Sequence, residues 1–255
     1  MSGWLDRQFG LTGRTALVTG ARTGIGRDAA LALAEAGADL VLWGREETGL
    51  AEVAAQARAR GVRVETMGVD MSDLDAVRQA ARQVATTTVD ILVNNAGTIR
   101  RAPVVDTTTE QWRQVMTVNL DAVFELTRTL ATPMIARGLG TVVNIASLLS
   151  FQGGLNVSAY TASKHAIAGL TRAMANEWAA RGINVNAVAP GYIETSNTEA
   201  LRADPVRSSQ ILARIPAGRW GRPDDVAGGV VFLCSPAARY IHGHVLVIDG
   251  GWMSW

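Results

Sequence analysis

A chain of 255 residues that is 48% hydrophobic and 18% charged is long and apolar enough to bury a sizeable core, which excludes disorder. Its 24 basic and 23 acidic residues leave a formal charge of +1, so no bulk field points to nucleic acid, and no apolar run approaches the ~20 residues that span a bilayer. A single cysteine, Cys234, excludes an internal disulfide framework and a cysteine-built metal site and reads as a buried, inert thiol.

In chain order, apolar runs at 15–19, 39–43, 63–67, 91–93, 141–145, 184–188 and 245–248 read as strands. Segments 25–35, 46–59, 74–85, 110–136, 158–180 and 225–233 have helix-forming compositions. With no repeat or linker, the alternation predicts one α/β domain over 1–255, a doubly wound parallel sheet of Rossmann type with helices on both faces. Such sheets bind ligands beyond the carboxyl ends of their strands, so the residues just after each strand are where chemistry is expected. The opening MSGWLDRQFG has no hydrophobic segment of a signal peptide, and the expected location is the cytoplasm.

The first strand runs into Thr19-Gly20-Ala21-Arg22-Thr23-Gly24-Ile25-Gly26. Glycines at this spacing allow a tight turn and let backbone N–H groups approach a pyrophosphate, which makes Gly20, Arg22, Gly24, Ile25 and Gly26 candidate dinucleotide contacts. There is no Gly-Lys-Ser/Thr ending of a P-loop. After the second strand, Gly44 stands where an acid would hold a ribose 2′-hydroxyl, and Arg45, with Arg22, suits a 2′-phosphate. This favours NADP(H) with NAD(H) as the alternative, unless both are solvated arginines of an arginine-rich chain. Asp70, after the third strand, is placed to meet the adenine, and Asn94, Ala96 and Gly97 follow the fourth, where backbone must pass close to a cofactor. Each of these also reads as an ordinary turn residue.

Ser147 follows the fifth strand, and Tyr160 and Lys164, four apart, share one helix face. Lys164 is the only lysine among the 24 basic residues; a composition biased toward arginine is one cause, and a position that needs an ammonium rather than a guanidinium is the other. Reduction of a ketone needs a proton for the carbonyl oxygen as hydride arrives. A tyrosine serves if its pKa falls from ~10 by about three units, which takes roughly 4 kcal/mol. One cation at ~4 Å supplies about that at an effective dielectric near 20, so Lys164 is expected to lower Tyr160. Ser147 would hydrogen-bond the substrate oxygen, and Asn119, a polar break in the long helix, would hold a water for proton relay. A surface Tyr–Lys pair with unrelated polar neighbours is the alternative. His165, His242 and His244 form no recognisable ligand set, so no metal is expected. Arg58, Arg60 and Arg63 sit near a helix end, where positive charge is expected without nucleic acid.

Segments 19–26 and 94–97, then Asn119, Ser147, Tyr160-Thr161-Ala162-Ser163-Lys164 and Pro190-Gly191, follow one another in an order that resembles the short-chain dehydrogenases/reductases from about residue 11 to residue 252. The resemblance implies a catalytic tetrad of Asn119, Ser147, Tyr160 and Lys164, with Tyr160 and Lys164 also touching the nicotinamide ribose. It further implies cofactor contacts at Pro190, Gly191, Ile193 and Thr195, and a homotetramer, with the apolar tail 245–252 in a subunit interface. Segments 98–103, 144–154, 174–178 and 214–221 more closely resemble the family's gluconate-type sugar-acid dehydrogenases, implying a hydroxy or keto sugar acid as substrate. A carboxylate with hydroxyls calls for arginine and polar partners, and Arg101 and Gln152, besides Ser147 and Tyr160, are the candidates. Segment 196–214, with Arg202 and Arg207, is the candidate lid. The resembled sugar-acid enzymes are often NAD-linked, and Gly44-Arg45 departs from that pattern. A 3-oxoacyl-carrier reductase would share the tetrad but dock an acidic carrier on a basic patch, which is not evident; an NAD(P)-binding regulator would be expected to have a broken tetrad.

Overall fold

A computed structural model describes residues 3–254. Seven parallel strands form one sheet in the order β3-β2-β1-β4-β5-β6-β7. They are β1 Thr15–Thr19, β2 Asp39–Gly44, β3 Val64–Gly68, β4 Ile91–Asn94, β5 Gly140–Ile145, β6 Ile183–Pro190 and β7 Val245–Ile248. The direction of winding reverses between β1 and β4, and the crevice at that switch point is the expected ligand site.

Period-two alternation sends successive residues to opposite layers. Ala16, Val18, Ile91 and Val93 join α2 (Gly24–Glu35), α3 (Ala51–Arg58) and α10 (Pro223–Cys234) on one face. Leu17, Leu92, Val142 and Val185 join α4 (Leu74–Val84), α6 (Ala122–Arg137) and α7 (Ser158–Trp178) on the other. Both faces are covered, so the central strands read as unbroken apolar runs.

Three elements depart from the sequence-based expectation. The helix expected over 110–136 is α5 (Thr109–Met116) and α6 joined by one π turn, Thr117–Asp121, and Asn119 lies in that turn. The segment 46–59 begins with a tight 3₁₀ turn, Glu47–Leu50, before α3. The candidate lid folds as a 3₁₀ turn, Ser196–Thr198, then α8 (Glu199–Ala203) and α9 (Pro205–Leu212), the last started by Asp204 capping Val206 and Arg207 and by Pro205 in the first turn. A short helix, α1 (Trp4–Phe9), precedes the sheet. Among the described residues no helix is long and apolar enough to cross a membrane.

Candidate active site

A cleft of about 820 Å³ runs over the carboxyl ends of β1, β2, β3, β4, β5 and β6. At one end its wall contains Gly20, Arg22, Gly24, Ile25, Gly44, Arg45 and Asp70. Gly20 has φ +65° and a Cβ there would lie 2.9 Å from Ala96 Cα, so both conformation and space require glycine. Thr23 makes no side-chain cap at the start of α2, which leaves first-turn N–H groups for an anion. Asp70 accepts from Ser72 N at 2.9 Å and from Ser72 Oγ at 2.8 Å. The Ser72 main-chain bond, then its hydroxyl and the charge of Arg45, hold Asp70 below the usual carboxylate range. This narrow, polar cradle with two arginines and no acid at Gly44 fits the phosphates of a dinucleotide carrying a 2′-phosphate.

Two predicted contacts lie behind the wall rather than in it. A Cβ on Gly26 would stand 2.2 Å from Asn95 Nδ2 and 2.4 Å from Gly20 O, so this glycine lets α2 pack against the turn. Asn94 is buried, and its amide donates to Thr127 Oγ1 at 2.9 Å and to Asn144 Oδ1 at 2.8 Å. Strand alternation turns Asn94 into the helix layer, so it braces the sheet instead of facing the cleft. Its neighbour Asn95 lines the cleft and donates to Thr19 O and Gly20 O at 2.9 and 3.1 Å.

At the other end, Ala96, Gly97, Ser147, Tyr160, Lys164, Pro190, Gly191, Ile193 and Thr195 line the same cleft. A Cβ on Gly191 would lie 2.6 Å from Asp249 Cα, so the loop after β6 passes there only as glycine. Lys164 is buried, donates to Ile145 O at 2.5 Å and stands 5.5 Å from the centre of the Tyr160 ring.

The family profile described as Enoyl-(Acyl carrier protein) reductase matches residues 20–253. A 2-dehydro-3-deoxy-D-gluconate 5-dehydrogenase of Bacillus subtilis (strain 168) is 51% identical over 254 residues, covering 99% of each chain. The chain belongs to the short-chain dehydrogenases/reductases. A solved structure from Beutenbergia cavernae, provisionally assigned as an NAD(P)-dependent gluconate 5-dehydrogenase and holding NADP at low occupancy, is 54% identical with a TM-score of 0.95, covering 97% of this chain and 100% of that one. A gluconate 5-dehydrogenase from Burkholderia cenocepacia J2315, solved with NADP and tartrate, is 40% identical with a TM-score of 0.94 over 98% and 99% of the two chains.

In this short-chain dehydrogenase/reductase the electrostatics of the Tyr160–Lys164 pair differ from the sequence-based expectation. Burial pushes the Tyr160 phenol up, against the Ser147 hydrogen bond and the charge of Arg101, which both pull it down. Burial likewise pushes Lys164 down to about 8. The expectation that Lys164 alone brings Tyr160 toward neutrality is therefore corrected: the ammonium is bonded to Ile145 O, and desolvation of the phenolate is the larger effect.

Asn119 also does a different job from the one expected of its side chain. Its Oδ1 accepts from Thr98 N at 2.8 Å, and its Nδ2 donates to Thr98 O at 2.9 Å and Ser163 Oγ at 3.1 Å. The amide is thus engaged on protein, and it ties the π turn to Thr98 and to Ser163 on α7. Gln152 does not line the cleft; its main chain donates to Leu148 O at 3.2 Å as part of the turn after Ser147. Arg101, like Gln152, is not part of the cleft wall: it is exposed at the rim, where it donates to Asn197 O at 2.6 Å, and its charge pulls the Tyr160 phenol down. Arg100 was not singled out in the sequence yet lines the cleft, as do Ser196, Asn197 and Thr198 of the candidate lid. Arg202 and Arg207 bond within the lid, to Thr195 O at 3.5 Å and Gln210 Oε1 at 2.9 Å. Among the described residues no group of His, Cys, Asp and Glu is arranged to hold a metal.

Proposed function

We propose that this protein is an NADP(H)-dependent oxidoreductase that interconverts a secondary alcohol and a ketone on a hydroxy or keto sugar acid of the 2-dehydro-3-deoxygluconate type. The observation that carries the reading is one cleft with Ser147, Tyr160 and Lys164 at one end and Arg22 and Arg45 at the other, and with Arg101 at its rim, whose positive charge pulls the Tyr160 phenol down. A charge so placed suits a substrate whose reacting carbon is a few bonds from a carboxylate. The 51% identity to a 2-dehydro-3-deoxy-D-gluconate 5-dehydrogenase supports the same substrate class. Arg22 and Arg45, with no acid at Gly44, favour NADP(H) over NAD(H), in keeping with NADP in the Burkholderia cenocepacia enzyme.

Gly20, Gly24 and the first turn of α2 would hold the pyrophosphate, Arg22 and Arg45 the 2′-phosphate, and Asp70 the adenine. Pro190, Gly191, Ile193, Thr195, Ala96 and Gly97 would hold the nicotinamide, and Lys164 and Tyr160 its ribose. When bound, the nicotinamide supplies or accepts the hydride. Ser147 holds the substrate oxygen beside Tyr160, whose O–H gives that oxygen a proton in reduction and takes it back in oxidation. The phenolate left behind is stabilised by the Ser147 hydrogen bond, by Arg101 and by the ammonium beneath its ring. Asn119 keeps the π turn in place for resupply of the proton through water. Segment 196–214 closes over the substrate, the protein assembles as a homotetramer, and it works in the cytoplasm.

The test follows nicotinamide absorbance with 2-dehydro-3-deoxygluconate, gluconate and an acetoacetyl thioester, each with NADP(H) and NAD(H). Turnover of a sugar acid with NADP(H), lost on Arg45→Asp through weaker cofactor binding, is the expected result. Preference for the thioester would replace the substrate class with a 3-oxoacyl one, and cofactor binding without any turnover would point to a regulator. Light scattering checks the assembly, and a monomeric mass would overturn the tetramer.

A further inference from the structure

The segment 98–102, which carries Arg101, is fastened at both ends. At its start the Asn119 amide grips both main-chain groups of Thr98, at 2.8 and 2.9 Å. At its end Ala102 N donates to Asn156 O at 3.0 Å. Asn156, an exposed residue of the loop between Ser147 and Tyr160, has φ +61°, and among the described residues it is alone among non-glycines in having positive φ. A side chain with a Cβ is disfavoured in this left-handed region, asparagine less than most. Strain of this kind persists where the surroundings impose it, and here it sits against the segment that carries Arg101. What the turn supplies is a carbonyl aimed at Ala102.

We infer that Asn156 is a positioning residue for carboxylate recognition: its left-handed turn holds Ala102 and thereby sets the place of the Arg101 guanidinium against Asn197 at the rim of the cleft. The inference rests on the reading of Arg101 as the partner of the substrate carboxylate. Arg101 is a long, exposed side chain, and a fork that must meet two carboxylate oxygens tolerates little displacement of its backbone. Its own bond to Asn197 O bridges the cleft mouth to the lid, so a shift of segment 98–102 would misplace both contacts.

The experiment measures the affinity of gluconate and of glucitol, which replaces the carboxylate by a CH₂OH, for the protein saturated with NADP⁺, by titration calorimetry. The variants are Arg101→Ala, Asn156→Val and Asn156→Gly. Wild type should favour gluconate, and Arg101→Ala should remove that preference. Asn156→Val should weaken gluconate by about tenfold, as expected for a left-handed conformation that a β-branched residue resists, and leave glucitol unchanged. Asn156→Gly, free to adopt the same φ, should bind both like wild type. If Asn156→Val does not fold, Asn156→Ala makes the same comparison. Equal losses for gluconate and glucitol, or unchanged gluconate affinity beside an Arg101→Ala that has lost its preference, would overturn the positioning role alone. If Arg101→Ala keeps the preference for gluconate, or wild type has none, the assignment of Arg101 fails, and the inference with it.

Discussion

Tyr160 carries the proposed chemistry, and its environment states the problem that the site has to solve. Burial raises the phenol, while Ser147 and Arg101 pull it down. Replacing Tyr160 by Phe removes one oxygen and little volume, so turnover should fall by at least about a hundredfold while NADPH affinity, read by fluorescence titration, stays unchanged. Retained turnover would remove Tyr160 from the mechanism. Lys164, pushed down to about 8 by burial, has a consequence for stability. The folded protein holds the charged lysine less well than the unfolded chain does, so this destabilisation is full below about pH 8 and fades as pH rises toward the unfolded value of 10.5. Relative to Lys164→Met, wild type should therefore gain about 3 kcal/mol between pH 7 and pH 10.5 in urea unfolding. A pH-independent difference would mean that Lys164 is not held in a desolvating site.

Above single residues, the helices that carry the site are tied to the sheet by polar groups inside an apolar layer. Asn94 on β4 donates to Asn144 on β5, and Asn144 donates to Thr171 on α7 at 2.9 Å. Thr171 Oγ1 in turn donates to Ile167 O at 2.8 Å, and both Asn144 and Thr171 are buried. Apolar packing alone has no direction, whereas this chain fixes how far α7 slides along β5, and α7 carries Tyr160 and Lys164. Thr171→Val keeps the shape but strands the Asn144 amide, and should cost about 1–3 kcal/mol in urea unfolding. An unchanged midpoint would mean that the ladder contributes nothing. The π turn at Thr117–Asp121 acts at the same scale, because it sits where α5 becomes α6 and turns Asn119 toward Thr98 and Ser163.

At the scale of the molecule, the cleft is assembled from six strand ends, so a ligand in it bridges parts of the chain from Gly20 to Thr198. Binding to such a site requires the folded state and so stabilises it as a whole. At a hundred times its Kd, NADP⁺ should add about 2.7 kcal/mol, seen as roughly 5–10 °C in Tm. NAD⁺ at the same concentration should add less if Arg22 and Arg45 hold the 2′-phosphate, and equal shifts would withdraw that assignment. The candidate lid segment is anchored from far along the chain, Arg214 lying 3.9 Å over the ring of Trp252 and Ile211 packing with Leu148 and Trp252.

Periodicity, glycine placement and helix-forming composition made the parallel sheet and its layers legible, because strands buried on both faces must be apolar and crossovers must be helical. Residues that follow strands, from Gly20 through Ser147 to Pro190, could likewise be read off, since strand ends in such sheets converge on one crevice. Which side of a strand end a residue faces was decided only in three dimensions. Asn94 and Asn95 are adjacent and chemically identical, yet one braces the sheet and the other lines the cleft. The sequence also brought Tyr160 and Lys164 onto one face, but desolvation outweighing the lysine's charge depends on burial, which neighbours distant in the chain create. Arg101 likewise meets Asn197, ninety-six residues away, and Ala102 is held by Asn156. Local pattern dictates which elements form, whereas the direction and solvation of each side chain follow from contacts between residues far apart in sequence.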